Sequence, residues 1–167
     1  MKQRNHYNTH FTKHTFPITL VCDNVSNAPN IGALFRIADA FGVEKLILTG
    51  EQIHLGRKMK KTSRATENAI PHEIHENILP VVQLFKNNDH QIIALEITNN
   101  SIAINQYQLD TSRPIVLIVG DENFGISETV LDLCDTIIHI KMFGQNSSMN
   151  VVQATNIALY EFTKQFI

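Results

Sequence analysis

The sequence contains few cysteines, no long apolar run and no strong excess of charge of either sign. Two of its 167 residues are cysteines, Cys22 and Cys134, and they lie far apart in apolar surroundings. Such residues are typical of buried free thiols in a reducing compartment rather than of a disulfide framework. No stretch is long enough to span a bilayer, and residues 1–10 lack an apolar signal region. We therefore expect a cytoplasmic protein with no membrane partner.

The net charge of −2 gives no overall attraction to nucleic acid. Five basic residues nevertheless fall within positions 57–64, namely Arg57, Lys58, Lys60, Lys61 and Arg64. Charges spaced this closely can neutralise several phosphates and release their counterions, although a solvated surface loop is the alternative. Residues 1–16 carry further basic side chains and are predicted to form a flexible arm. A single domain over residues 17–167 is predicted to follow.

Several common catalytic motifs are also missing. Neither the Walker nor the Rossmann spacing of glycines occurs, so no phosphate-binding loop is predicted. His72 and His75 lack the spacing of a zinc protease helix and a nearby third ligand, and we expect no metal. Ser148 lies in no nucleophile elbow, which argues against a serine hydrolase. Asp121 and Glu122 are adjacent, so in an extended loop they would make a poor general acid–base pair.

Short apolar runs alternate with amphipathic segments, which predicts an α/β fold with a mostly parallel sheet. The predicted strands are residues 18–22, 45–48, 91–97, 115–119 and 137–140. The predicted helices are residues 31–41, capped by Asn30 and closed by Gly42, residues 78–85, and residues 148–166, capped by Ser148. Residues 51–69 are polar and basic, and they predict a loop or a short helix.

Two predicted strands end in polar loops that contain glycine. Residues 115–119 lead into the turn 120–125, and residues 137–140 lead into the loop 143–148. Ligands in open α/β sheets usually bind at such strand ends. A tight turn that binds nothing is the alternative for residues 120–125. The residues alone therefore indicate a small-molecule site without identifying its ligand.

The last predicted helix carries apolar residues on two sides. Its core-facing stripe consists of Val151, Val152, Thr155, Ala158, Leu159, Phe162 and Phe166. Ile157 and Tyr160 lie off this stripe, beside Gln153 and Asn156. Apolar residues on a polar face indicate a second contact such as a subunit interface, with ordinary surface residues as the alternative.

Three segments together resemble the motifs of the SpoU/TrmH family of RNA ribose methyltransferases. The first is Asn30–Arg36 with residues 38–42 behind it, the second is Gly120–Ser127, and the third is residues 140–151 with 158–161. All three occur in the family's order and at its spacings, and with the connecting strands they cover about residues 18–165. Residues 95–98 and 63–69 are similar to those of tRNA D-loop guanosine methyltransferases.

The resemblance implies a fold of the SPOUT class, in which helices flank a mostly parallel sheet and the C-terminal part forms a deep trefoil knot. It also implies S-adenosylmethionine as cofactor, a homodimer, and attack of a ribose 2′-hydroxyl on the cofactor's methyl group. tRNA is the expected substrate. The alternatives are rRNA and a catalytically silent RNA-binding module of the same fold. No extra N-terminal RNA-binding domain is recognised, so RNA affinity is expected to come from the arm, the 57–64 cluster and a second subunit.

The resemblance also assigns roles to individual residues. The residues implied in catalysis are Arg36, Asn30, Glu122, Ser148 and Asn150. Arg36 would take the hydroxyl proton or stabilise the alkoxide, and the other four would shape the site. The residues implied in cofactor binding are Leu95, Glu96, Thr98, Gly120, Ile140, Met142, Ser148 and Met149. RNA is expected to contact Arg57, Lys58, Lys60, Lys61 and Arg64.

Two positions depart from the family's usual pattern. Asp121 stands where a small or amide residue is common, and Val152–Gln153 replaces a more usual Ser-Val pair. Neither lies at a matched catalytic position. They therefore affect the expected choice of RNA more than the expected reaction.

Overall fold

The central feature of the fold is a parallel sheet. The structure, a computed structural model, describes Thr9 and residues 11–167. Within these residues the strands are β1 Phe16–Asp23, β2 Val43–Thr49, β3 His72–His75, β4 Gln91–Leu95, β5 Ile102–Ala103, β6 Ile115–Gly120 and β7 Thr136–His139. Their order across the sheet is β3-β2-β1-β6-β4-β7-β5, and every pairing between these strands is parallel. The predicted α/β class is confirmed.

Helices cover both faces of this sheet. In the described part of the chain they are α1 Ala28–Ala40, α2 Arg57–Ser63, α3 Ile78–Asn87, α4 Glu128–Leu131 and α5 Val151–Thr163. Short 3-10 helices lie at Thr66–Asn68 and Ile104–Gln106. The buried residues of α1, α2 and α5 belong to one apolar cluster, and those of α3 and α4 belong to another. None of the helices described is long and apolar enough to cross a membrane.

The central strands read as continuous apolar runs because both of their faces are buried. Successive side chains of a strand point to opposite faces of the sheet. Leu20 of β1 and Leu117 of β6 accordingly lie in the cluster under α1 and α5, whereas Val21 and Ile118 lie in the cluster under α3. All four are fully buried. The sheet therefore holds the carboxyl ends of its strands at fixed positions along one edge.

Helix α2 packs directly against α1. A Cβ atom added to Gly32 of α1 would lie 2.4 Å from the backbone oxygen of Met59 and 2.8 Å from Cβ of Thr62. The glycine therefore lets the two backbones approach closely. Met59 and Ser63 are buried on this side of α2. The five basic residues predicted to contact RNA are all exposed, and the first four of them lie on α2 itself.

Both long helices near the predicted site begin at a different residue from the one expected. The N-cap of α1 is Asn27, whose side chain accepts a hydrogen bond from the Asn30 amide at 3.2 Å, so the prediction that Asn30 caps this helix was wrong. Asn150, not Ser148, is the N-cap of α5, and its Oδ1 accepts from the Val152 amide at 2.9 Å. In both helices an asparagine near the expected cap can bond to the same free backbone amides of the first turn. Asn27 lies three residues before the expected cap of α1, and Asn150 lies two residues after that of α5.

Three strands, β3, β4 and β1, differ from the prediction. Residues 72–75 form β3, where no apolar run predicts a strand, and β3 pairs with β2 through Leu46 and His72. Strand β4 ends at Leu95, two residues earlier than predicted. The strand β1 begins at Phe16, so the last residue of the predicted arm lies in the sheet. The rest of that arm includes residues 1–8 and 10, which lie outside the described residues.

Both cysteines are free thiols, as predicted. Cys22 is fully buried in β1, and burial raises the pKa of its thiol well above the ordinary range. Cys134 is partly buried, and burial raises the pKa of its thiol to about 12. Because the thiolate is the reactive form, both side chains act as core residues at neutral pH.

Candidate functional site

The loop after β6 is a tight turn that only glycine permits at its two ends. The Gly125 amide donates a hydrogen bond to the Asp121 backbone oxygen at 2.8 Å, which closes the turn. A Cβ atom on Gly120 would lie 2.4 Å from the Gly125 carbonyl carbon. Gly125 itself has a φ of +65°, in the left-handed region that favours glycine. The turn therefore folds back on itself at the carboxyl end of β6.

Glu96 connects this turn to the end of β4. Its Oε2 accepts a hydrogen bond from the Ile126 amide at 3.1 Å, and its Oε1 accepts from the Ile97 amide at 2.9 Å. A Cβ atom on Gly125 would lie 2.5 Å from Oε2, so the carboxylate fills the space that glycine leaves open. The loops after β4 and β6 are thus held together by one side chain.

A cavity of about 450 Å³ lies between the carboxyl ends of β4, β6 and β7 and the start of α5. All eight residues predicted to bind a cofactor line it: Leu95, Glu96, Thr98, Gly120, Ile140, Met142, Ser148 and Met149. The volume is in the usual range for small-molecule sites. The Oγ1 atom of Thr98 is buried and has no hydrogen-bond partner among the described residues. A ligand with a polar group at this position would satisfy it.

Beside this cavity, one carboxylate oxygen connects the three sequence motifs. Glu122 Oε1 accepts hydrogen bonds from Asn30 Nδ2 at 3.2 Å and from the Val151 amide at 3.2 Å, and it also accepts one from Asn150 Nδ2. Asn150 Nδ2 lies 3.3 Å from Asn30 Oδ1 as well. The carboxylate stands at the first turn of α5, where the helix dipole favours negative charge. We call Asn30, Glu122 and Asn150 the polar cluster.

The other two predicted catalytic residues lie outside the polar cluster. Ser148 lines the cavity, and its amide and hydroxyl both donate to Asn146 Oδ1, at 3.2 and 3.3 Å. Arg36 is exposed on α1 and has no hydrogen bond or ion pair with any described residue. Six helical residues separate it from Asn30, which corresponds to about 120° around the helix and about 9 Å along it. Within one chain the structure therefore brings together three of the five residues.

A buried acid lies beneath these loops. Asp23 ends β1 with 3% of its surface exposed, and its Oδ1 accepts a hydrogen bond from Asn24 Nδ2 at 2.9 Å. Burial raises the pKa of this carboxyl, and hydrogen bonds from the Ser127 backbone and the Asn24 and Thr49 side chains oppose the increase. Asn24 follows β1, Thr49 ends β2 and Ser127 precedes α4, so the residues around Asp23 come from three segments at the same edge of the sheet.

Two residues that position the site were not predicted. Asn27 holds the first turn of α1, where Asn30 lies, through its bond to the Asn30 amide. The sequence Asn-Ala-Pro contains a signal for this cap, because proline favours the first helical positions just after the cap. Phe124 lines the cavity and is almost fully exposed, and nothing in its local sequence marks it.

The three motifs that meet at this site lie within one region of family similarity. A model of the SpoU rRNA methylase family matches residues 17–160. The chain belongs to this family. The resemblance inferred from the three motifs is therefore confirmed. The matched region begins in β1 and ends within α5.

Two curated SpoU relatives show how far the similarity extends. A 23S rRNA (guanosine-2′-O-)-methyltransferase, RlmB, from Blochmanniella floridana is 29% identical over 163 residues, which is 95% of this chain and 63% of the relative. A tRNA (guanosine(18)-2′-O)-methyltransferase from Aquifex aeolicus (strain VF5) is 34% identical over 151 residues, which is 89% of this chain and 69% of the relative. The chain thus spans less than two thirds of the length of the first relative.

A solved structure shares the SpoU fold. The AdoMet-bound rRNA methyltransferase from Sinorhizobium meliloti superposes with a TM-score of 0.84 at 22% identity, over 95% of this chain and 59% of that one. At this level of identity the match bears on the fold alone. It supports the predicted SPOUT class, in which the trefoil knot stays a prediction from the resemblance.

Proposed function

We propose that the chain is an S-adenosylmethionine-dependent ribose 2′-O-methyltransferase that acts on RNA, with tRNA as the expected substrate and rRNA as the alternative. The observation that carries the proposal is the polar cluster at the edge of the cavity. Asn30, Glu122 and Asn150 come from the three family motifs, up to 120 residues apart, and they meet beside one cavity. One of the relatives named above is a 23S rRNA methyltransferase and the other is a tRNA methyltransferase, which supports both RNA classes as candidate substrates.

The cavity fits S-adenosylmethionine in size and in chemistry. Apolar side chains such as Leu95, Ile140 and Met149 suit an adenine ring, and the backbone of the two loops offers amide and carbonyl groups to its edge. The unpaired Thr98 Oγ1 could bond to a polar group of the cofactor. When it is bound, the cofactor supplies an electrophilic methyl group.

The residues of the chain must make a ribose hydroxyl reactive. This hydroxyl is a poor nucleophile, so its proton must leave or its developing negative charge must be stabilised. A guanidinium is a weak base but a strong hydrogen-bond donor. We therefore assign Arg36 to stabilisation of the alkoxide, with phosphate or water taking the proton. Glu122 fixes the amides of Asn30 and Asn150, which orient the ribose.

We propose further that the active enzyme is a homodimer. Arg36 makes no hydrogen bond to the polar cluster of its own chain, and a second copy could supply it to that site. Helix α1 packs against α5, and α5 carries Tyr160, which is 56% exposed, and the half-buried Ile157. An interface along these two helices would cover Tyr160 and bring Arg36 toward the partner.

The reaction can be tested with labelled cofactor. The wild-type protein, incubated with methyl-labelled S-adenosylmethionine and unmodified tRNA or rRNA, is expected to transfer label to a 2′-oxygen that nuclease digestion and mass spectrometry can map. Arg36→Ala should lower the transfer rate at least about a hundredfold, because one oxyanion donor is removed. Its affinity for the cofactor, measured by calorimetry, should stay within about twofold.

Arg113→Ala is the control, since Arg113 pairs with Asp89 near the start of β6, at the other edge of the sheet. This variant should methylate at the wild-type rate. Full activity of Arg36→Ala would contradict the role of Arg36. A wild-type protein that binds no S-adenosylmethionine in calorimetry and transfers no label to either RNA would favour the silent RNA-binding module.

The dimer can be tested by mixing two inactive variants. If Arg36 acts in the site of the partner, a mixed dimer of Arg36→Ala and Asn150→Ala retains one intact site of its two. An equimolar mixture should then recover roughly a quarter of wild-type activity. Sedimentation would show whether mixed dimers form. Mixed dimers without recovered activity, or a monomer that is fully active, would contradict the assignment.

The basic surface on α2 can be tested by charge reversal. Replacing Lys60 and Lys61 with Glu should weaken RNA binding. The slope of the logarithm of the RNA association constant against the logarithm of salt concentration should fall by about one for each phosphate that the protein no longer neutralises. Cofactor affinity should not change. Lys45→Glu is the control, because Lys45 lies near the start of β2 in an ion pair with Glu73. An unchanged salt dependence in the double variant would exclude α2 from the RNA interface.

A further inference from the structure

A second cavity lies next to the first along the same edge of the sheet. Its volume is about 460 Å³, and its walls come from the segments that follow β1, β2 and β3. It shares one wall with the first cavity, formed by Asp121, Asn123 and Phe124. The carboxyl ends of parallel strands are where α/β proteins bind their ligands. The reaction proposed above has two ligands, a cofactor and a nucleotide.

The walls of the second cavity are fixed by backbone hydrogen bonds. The Asn24 amide donates to the Thr49 oxygen at 2.8 Å, and the Gly50 amide donates to the His75 oxygen at 2.9 Å. Asn24 and Gly50 have φ values of +55° and +137°. A Cβ atom on Gly50 would lie 2.9 Å from Asn24 Oδ1. These contacts fix the segments that follow β1, β2 and β3 relative to one another around the cavity.

Phe124 stands between the two cavities. It lines both of them, and 89% of its side chain is exposed. An aromatic ring that contacts water on this scale contributes little to folding, since it buries almost no apolar area. In proteins that bind single-stranded nucleic acid, such exposed rings stack on bases. Phe124 and Glu122 belong to the same turn after β6, so a base stacked on this ring would lie at the turn that also carries the carboxylate of the polar cluster.

The side chains around the second cavity accept hydrogen bonds and would repel phosphate. Glu51, Glu76 and Asp121 supply carboxylates, and neither lysine nor arginine is among the lining residues described. Amides of Asn24, Gln52 and Asn123 and the hydroxyl of Ser26 complete the polar lining. Guanine presents N–H donors at N1 and N2 on one edge, which is the complement of such a wall.

The basic helix α2 explains where the phosphates would go. The loop that contains Glu51 and Ile53 lines the second cavity and leads directly to α2, which begins at Arg57. A nucleotide at this edge would thus meet carboxylates at its base and cations at its backbone. This separation of charge favours a nucleotide over a free anion.

We propose that the second cavity holds the base of the target nucleotide, that this base is guanine, and that it stacks on Phe124 while its ribose lies at the polar cluster. The inference rests on the proposed function.

Phe124 can be tested against a matched phenylalanine. Phe143 is also 89% exposed but lines neither cavity. With the RNA mapped above as substrate, Phe124→Ala should lower kcat/KM about tenfold through loss of stacking. Phe143→Ala should stay within about twofold of wild type, and Phe124→Tyr, which keeps an aromatic ring, should lose less than Phe124→Ala. Because Phe124 also lines the first cavity, kcat/KM for RNA is measured at saturating S-adenosylmethionine in every variant. Wild-type kcat/KM in Phe124→Ala, or equal losses in the two alanine variants, would overturn the stacking role.

The selection of guanine can be tested with inosine, which lacks the N2 amino group. In transcripts that carry guanosine or inosine at the mapped site, the wild type should prefer guanosine about tenfold. The variant with Glu51→Gln and Glu76→Gln should lose this preference, and Glu44→Gln, at the opposite end of β2, should keep it. A preference that survives in the double variant, or a mapped site that is not guanosine, would overturn the assignment. Absence of any wild-type transfer would instead refute the proposed function.

Discussion

The geometry of this protein depends on the hydrogen bonds that the Glu122 carboxylate accepts. One oxygen receives the side chains of Asn30 and Asn150 and the backbone amide of Val151. Asn30 precedes Glu122 by 92 residues, and Asn150 follows it by 28. These bonds are near the surface, so each adds little to the free energy of unfolding. Their effect is to fix the relative positions of three loops that otherwise belong to separate parts of the sheet.

The sheet makes that meeting possible. Strands β1 and β6 are neighbours, and β4 and β7 follow β6 across the sheet, so the loops after these strands emerge side by side. The first cavity lies at the carboxyl ends of β4, β6 and β7, and the second at those of β1, β2 and β3. Phe124 lines both cavities, and the polar cluster lies beside the first, with Glu122 in its wall.

Much of this arrangement could be predicted from the sequence. The rest could not be predicted, for physical reasons. Apolar periodicity predicted the long strands and helices because their buried faces repeat at fixed intervals. It missed β3 because β3 is the outermost strand on its side of the sheet and its residues are mostly exposed. The starts of α1 and α5 were misplaced because several asparagines and serines could cap each helix. Local patterns carry no information on contacts as distant as that of Asn30 with Glu122, and only the resemblance grouped those residues.

The most direct test of this account is the single-turnover rate of methyl transfer to RNA by Glu122→Ala, compared with Glu128→Ala. Glu128 is an exposed glutamate at the start of α4, six residues further along the chain. If Glu122 holds the three loops in register, Glu122→Ala should transfer at least about a hundredfold more slowly. Glu128→Ala should transfer at the wild-type rate. A Glu122→Ala protein that folds normally and transfers within about twofold of wild type would contradict the central role of this carboxylate.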